Sequence, residues 1–117
     1  MIGKFCALVV DDYRDVSCIL ARILRAQGWQ ATVVHGGHGA LLAFAAGRYQ
    51  RVFCDVCLGD GWDGIQVARK LREAEPGVKV VFMTGSPDCA DRARASGLGP
   101  VLSKPFAVED IEDLLCD

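Results

Sequence analysis

Five short apolar runs punctuate this chain, and a segment with helical spacing follows each of them. The runs are Phe5 to Val10, Trp29 to Val34, Val52 to Val56, Val78 to Met83 and Pro100 to Ser103. A connection long enough to hold a helix returns the chain to the same edge of a sheet, so successive strands run parallel. Strands with this little polar content need cover on both faces. The pattern predicts an α/β protein, a single (βα)5 doubly wound parallel sheet. With 117 residues, 51% of them hydrophobic, there is enough apolar material for one core. Repeats, linkers and low-complexity stretches are absent from the sequence, which reads as one domain over 1–117 with no effector domain.

The helical segments carry their own punctuation. Val16, Ile19, Leu20, Ile23 and Leu24 form one stripe, closed by Gly28. Leu41, Leu42, Ala45 and Ala46 are the expected apolar face of the second helix, with Gly47 ending it. Ile65, Ala68 and Leu71 mark the third, which stops before Pro76-Gly77. Ser86 followed by Pro87 is a strong helix start. The alanine-rich segment behind it, about Asp88 to Ser96, has little to bury and is expected to be loosely held. Val108, Ile111, Leu114 and Leu115 line the last helix, whose first turns hold Glu109, Asp110, Glu112 and Asp113, well placed against the helix dipole.

The third run ends on an acid. In Arg51-Val52-Phe53-Cys54-Asp55-Val56-Cys57 a carboxylate interrupts a buried strand, which costs several kcal/mol, roughly, unless something pairs with it. The carboxyl ends of parallel strands share one edge, where open α/β sheets bind their ligands. Asp11 and Asp12 end the first strand, Asp55 the third, Thr84 the fourth and Lys104 the fifth. Three carboxylates within a few ångströms stay ionised only if cations join them. Lys104 supplies one positive charge, and a hard divalent ion with oxygen ligands, such as Mg²⁺, supplies the rest. A lone carboxylate among Mg²⁺, an ammonium and a hydroxyl suits phosphoryl transfer to that carboxylate.

These residues in this order resemble the receiver domain of two-component response regulators, the CheY-like fold, over essentially the whole chain. The resemblance implies strand order 2-1-3-4-5 and Asp55 as phosphoacceptor. It implies that Asp11, Asp12, Asp55 and the backbone carbonyl of Cys57 hold Mg²⁺, that Thr84 binds a phosphoryl oxygen, and that Lys104 neutralises another. Lys104-Pro105 is similar to the family's cis peptide. The implied donor is a phosphohistidine on a histidine kinase or histidine phosphotransfer protein. Output by protein contact through the fourth helix, fifth strand and fifth helix is implied, with the downstream protein unspecified and a homodimer through the same face left open. Such a protein catalyses only the Mg²⁺-dependent phosphorylation and dephosphorylation of its own aspartate; the lack of a signal-peptide pattern at Met1 to Lys4 sets the expectation of a cytoplasmic location. Cys57 and Ser86 stand where relatives tune hydrolysis. The chain departs from the pattern at Leu58 to Gly64, which is one residue longer and lacks a proline. It departs again at Val101, where many relatives carry an aromatic switch residue, and in a shorter stretch from Thr84 to Lys104.

Other readings are weaker. Thirteen basic and 15 acidic residues give a net charge of -2, which argues against direct nucleic-acid or membrane-surface binding. No run approaches the length of a membrane span, and the start lacks the features of a signal peptide. The six cysteines lie mostly in apolar runs and are expected to be buried and free. Cys54 and Cys57 form a C-x-x-C, yet residues three apart in a strand point to opposite faces. Gly59-x-Gly61-x-x-Gly64 matches a dinucleotide fingerprint in the wrong place. His35 and His38 read as loop residues at the opposite flank of the pocket. A receiver-like interaction module without phosphorylation is the main alternative, set against intact Asp12, Asp55, Thr84 and Lys104. A small-molecule phosphohydrolase of the haloacid type needs an aspartate where Cys57 stands. Trp62 is left open as a lid or a solvent-facing residue.

Overall fold

The computed structural model describes residues 5–46 and 48–116. The expected end of the second helix at Gly47 lies outside them. Ten elements alternate without exception: β1 (Cys6–Val10), α1 (Arg14–Ala26), β2 (Gln30–Val34), α2 (Gly37–Ala46), β3 (Arg51–Asp55), α3 (Gly64–Ala74), β4 (Lys79–Thr84), α4 (Pro87–Ser96), β5 (Val101–Ser103) and α5 (Val108–Leu115). All strand pairings are parallel, in the order β2-β1-β3-β4-β5. Among the described residues no helix is long and apolar enough to cross a membrane.

Side chains alternate across each strand and so build two cores. Leu8, Val10, Val52, Cys54, Val80 and Phe82 face one layer, with Ala40 and Phe44 of α2, Ile65, Ala68 and Leu71 of α3, and Ala93 of α4. Ala7, Val9, Phe53, Val81, Met83 and Leu102 face the other, with Leu20 and Leu24 of α1 and Ile111 of α5. The order in which strands are added reverses between β1 and β3, and this switch point is where the paired acids and Asp55 come together.

The helix faces differ in detail from the spacing-based expectation. On α1 the inward stripe is Ser17, Leu20, Ala21 and Leu24, while Ile19 is exposed. Small Ser17 and Ala21 sit where the helix meets the sheet. On α2 the described side chains that are buried are those of Ala40 and Phe44, and Leu42 is 62% exposed. That helix is apolar nearly all round, so composition could not mark its inner face. Val108 on α5 is likewise exposed, with Ile111 fully buried. His38 belongs to the first turn of α2 rather than to a loop.

The caps behave as read. Ser86 Oγ accepts the Cys89 N–H at 3.3 Å, with Pro87 at the first helical position. Gly97 takes φ of 70° to close α4, a left-handed conformation that favours glycine. Only Ala90 and Ala93 of α4 are buried, so the helix has little apolar hold on the sheet. The cysteines depart from expectation: Cys54 alone is buried, Cys6 and Cys89 are half-buried, and Cys18, Cys57 and Cys116 are exposed. Apolar neighbours in sequence did not translate into burial, because Cys18 falls on the outer side of α1 and Cys57 lies just past the end of β3.

Candidate functional site

Asp11, Asp12 and Asp55 present carboxylate oxygens within 4.8 Å of one another. Asp11 follows β1 and is fully buried; its backbone N–H donates to the Val34 carbonyl at 3.1 Å. Its Oδ1 accepts the Tyr13 N–H at 2.9 Å, a local turn that opens α1. Asp12 is exposed and its carboxylate leans toward Gly59, where an added Cβ would stand 2.8 Å from Asp12 Oδ2. Asp55 ends β3 with only 7% exposure.

Lys104 completes the cluster from the end of β5. Its Nζ donates to Asp11 Oδ2 at 2.9 Å and to Asp55 Oδ2 at 3.2 Å, bridging two of the three acids. The Lys104–Pro105 peptide is cis. Asp55 Oδ1 accepts the Cys57 N–H at 3.3 Å. Thr84 closes β4, and its Oγ1 accepts the Ser86 N–H at 3.1 Å, so the hydroxyl is engaged by its own loop. The five strand-end residues therefore share one edge, with Asp11, Asp55 and Lys104 in direct contact.

The Asp55 carboxyl is pushed up to about 6, chiefly by burial, against the pull of Lys104 and with a further push from the Asp11 charge. Burial works against the Lys104 ammonium, but its bonds to Asp11 and Asp55 prevail and raise it above its ordinary value. One ammonium does not offset three carboxylates. The donor set is all hard oxygen with two acids held firmly and one open to solvent, which fits a magnesium-sized dication.

The loop after β3 is pinned by backbone and side chain. Gly64 begins α3 against the strand end: its N–H donates to the Val56 carbonyl at 2.9 Å, and a Cβ there would collide with the Asp55 carbonyl oxygen. Cys57 and Asp63 pair across the loop in an antiparallel bridge. Asp63 caps α3 by accepting the Ile65 N–H at 2.8 Å and also pairs with Arg92 of α4. Trp62 neither lids the pocket nor faces solvent freely. It packs on the start of α2, where Gly37 leaves room for it, and is half-buried against the core. Asp60 holds the same turn by accepting the Trp62 and His38 N–H groups, at 3.4 and 3.3 Å.

Two contacts were not legible in the sequence. His35 Nδ1 lies 3.1 Å from the Asp11 carbonyl oxygen, which brings it beside the acid cluster rather than to the far flank. Cys57 Sγ lies 3.0 Å from Cys89 Sγ of α4. The bond between them, more than burial, pushes Cys57 up to about 11, and the same bond, followed by that from Ser86, lowers Cys89. Cys54 points the other way, into the core, with its thiol 3.7 Å from the Gly64 carbonyl and its pKa pushed far up by burial. The C-x-x-C is thus not a thiol pair, as the strand geometry predicts. A hollow of about 660 Å³ lies at the opposite end of the sheet between Phe5, Trp29, Phe44 and Tyr49, away from the carboxylates.

The response regulator receiver domain family model matches residues 7–115. The uncharacterized transcriptional regulatory protein YkoG of Bacillus subtilis is 30% identical over 106 residues, 89% of this chain and 46% of that protein. The probable transcriptional regulatory protein TcrX of Mycobacterium tuberculosis is 33% identical over 106 residues, 89% of this chain and 45% of its own length. The chain thus spans somewhat less than half the length of these curated relatives. Among solved structures, a CheY-like receiver domain from Methylobacillus flagellatus is 28% identical with a TM-score of 0.87, covering 97% of both chains. The chemotaxis protein CheY4 of Vibrio cholerae, 21% identical with a TM-score of 0.86 over 97% of each chain, shares the fold.

Proposed function

The chain belongs to the family of response regulator receiver domains of two-component signalling, and on that premise we propose that it accepts a phosphoryl group on Asp55. The observation that carries this reading is the pair of bonds from Lys104 Nζ to the buried Asp11 and Asp55, within a cluster whose third carboxylate, Asp12, opens to solvent. A structural ion pair needs one acid; a third carboxylate beside a shared ammonium makes sense where a cation and an anion join the site.

Asp55 is the nucleophile. Burial that raises its pKa also strips water from its oxygens, and Lys104 and the Cys57 N–H hold it in place. Asp11, Asp12, Asp55 and the Cys57 carbonyl would hold Mg²⁺, whose chemistry is to neutralise charge on the transferring phosphoryl oxygens. Thr84 receives a phosphoryl oxygen once its hydroxyl leaves the Ser86 N–H, and Lys104 takes another. The donor is a phosphohistidine of a histidine kinase or histidine phosphotransfer protein, whose P–N bond breaks as the Asp55–phosphorus bond forms. No external substrate is turned over.

The lightly anchored α4 is the element best suited to carry the signal, with β5 and α5 beside it as the face for a downstream protein or a second copy. Val101 is half-buried at the start of β5, opposite Phe82, so the movement proceeds without an aromatic at that position. Residues 1–117 together form this receiver unit.

The test is intact mass after incubation with a small phosphodonor and Mg²⁺. One Mg²⁺-dependent phosphoryl adduct is expected in wild type and none in Asp55→Asn. Absence of an adduct from both the small donor and a phosphohistidine donor would overturn the reading in favour of a phosphorylation-independent interaction module.

A further inference from the structure

We propose that Cys57 and Cys89 are a redox modification site: a disulfide between them ties the loop after β3 to the first turn of α4 across the mouth of the Asp55 pocket. Their sulfurs are 3.0 Å apart, about 1 Å more than the ~2.05 Å of a disulfide bond. Cys57 is exposed and Cys89 half-buried, so an oxidant reaches them. They lie 32 residues apart in the chain, one on the loop after β3 and one in the first turn of α4.

A second contact holds those segments in register. Cys57 and Asp63 face each other across the antiparallel bridge that closes the loop. Cys89 and Arg92 stand one turn apart on one face of α4. The loop therefore meets the helix twice, sulfur to sulfur at one end and carboxylate to guanidinium at the Asp63–Arg92 pair. The approach of the thiols is built by this double contact rather than by two long side chains meeting at random.

The oxidant is a peroxide. One thiol attacks hydrogen peroxide, the O–O bond breaks, and a sulfenic acid and one water result. The second thiol attacks that sulfur, the S–O bond breaks, the S–S bond forms and a second water leaves. The two thiols lose two electrons and two protons in all, and a dithiol reverses the change.

The crosslink acts on two parts of the pocket at once. The Cys57 N–H is the group that holds Asp55 Oδ1, and Cys89 is the residue whose N–H Ser86 caps, directly behind Thr84. Fixing one to the other holds the Thr84–Ser86 turn against the loop whose backbone holds the acceptor. This gating of phosphoryl acceptance rests on the reading of Asp55 as acceptor; the crosslink itself does not.

The experiment treats the reduced full chain with hydrogen peroxide, blocks remaining thiols by alkylation, and maps peptides by mass without reduction. The Cys57 and Cys89 peptides are expected to be joined within one monomer and two hydrogens lighter, equally in wild type and Asp55→Asn, with exposed Cys18 and Cys116 alkylated. Phosphoryl acceptance by the oxidised wild type should slow by about tenfold or more and recover with a dithiol, while Cys89→Ser and Cys89→Ala stay indifferent to peroxide. Separate alkylated or over-oxidised peptides, a crosslink to another cysteine or to a second copy, or joined peptides with an unchanged rate would each overturn the proposal. A reduced wild type that takes no phosphoryl group would instead sink the acceptor reading, and the Asp55→Asn peptide map would still decide the crosslink.

Discussion

Strand β3 buries a charge at each end, and the two ends settle it in opposite ways. Arg51 begins the strand at 5% exposure. Its Nε donates to the Leu114 carbonyl at 3.3 Å, an Nη donates to the Gln50 carbonyl at 3.5 Å, and the guanidinium lies 5.5 Å from the Trp29 ring centre. Carbonyls and an aromatic face suit a planar, weakly hydrated cation. Asp55, at the other end, is almost as buried, yet it shares one ammonium with Asp11 and has Asp12 beside them, so three carboxylates face a single positive charge. A buried charge whose partners are complete ties elements together, here α5 to the sheet. A buried charge whose partners are incomplete marks where a ligand belongs.

The contrast breaks most sharply at Lys104. Replacing it with Met should slow phosphoryl acceptance about 100-fold or more, the usual cost of losing one donor aimed at developing phosphoryl charge, measured as the rate of mass-adduct formation. A rate within a factor of about three of wild type would mean that the ammonium only balances the resting acids.

Mg²⁺ sharpens the contrast next. At about a hundred times its dissociation constant the ion should stabilise the folded chain by about 2.7 kcal/mol in urea unfolding. The same increment is expected in Arg51→Met, because the charge at that end is satisfied by the protein alone. Arg51→Met itself should cost about 1 to 3 kcal/mol, as buried carbonyls lose their donor, with phosphoryl acceptance unchanged. A loss of acceptance in that variant would show the two ends to be coupled.

The last test is the pH dependence of the acid end. The Asp55 carboxyl stands at about 6 against an ordinary 3.8, so the folded chain holds its proton more tightly than the unfolded chain does. The stability from this group is therefore fully present below the ordinary value and is lost as pH rises through about 6. Carbon NMR of the Asp55 carboxyl without metal should show a midpoint near that value, and Mg²⁺ should move it down. A metal-free midpoint at or below the ordinary value would remove the case for an undercharged site.

Much of this was legible in residue order. The strand-end acids, Thr84 and Lys104 stand out because each breaks an apolar run, and parallel topology sends every break to one edge. The caps at Ser86 and Gly28 are local chemistry and read equally well. The inner face of α2 was less legible, since an apolar residue on every side carries no direction and only the neighbouring sheet selected Ala40 and Phe44. Trp62 illustrates the same limit: its place depends on the room left by Gly37, in a helix that begins 25 residues earlier in the chain.

Sequence alone determined the alternation of elements, the five residues at the strand ends and the family they resemble, because period, breaks and caps are properties of neighbours along the chain. Tertiary structure decided which helix faces turn inward and which acids share Lys104. It also decided that Cys57 meets Cys89 rather than Cys54. Those outcomes depend on distances between segments far apart in the chain, and only packing sets such distances.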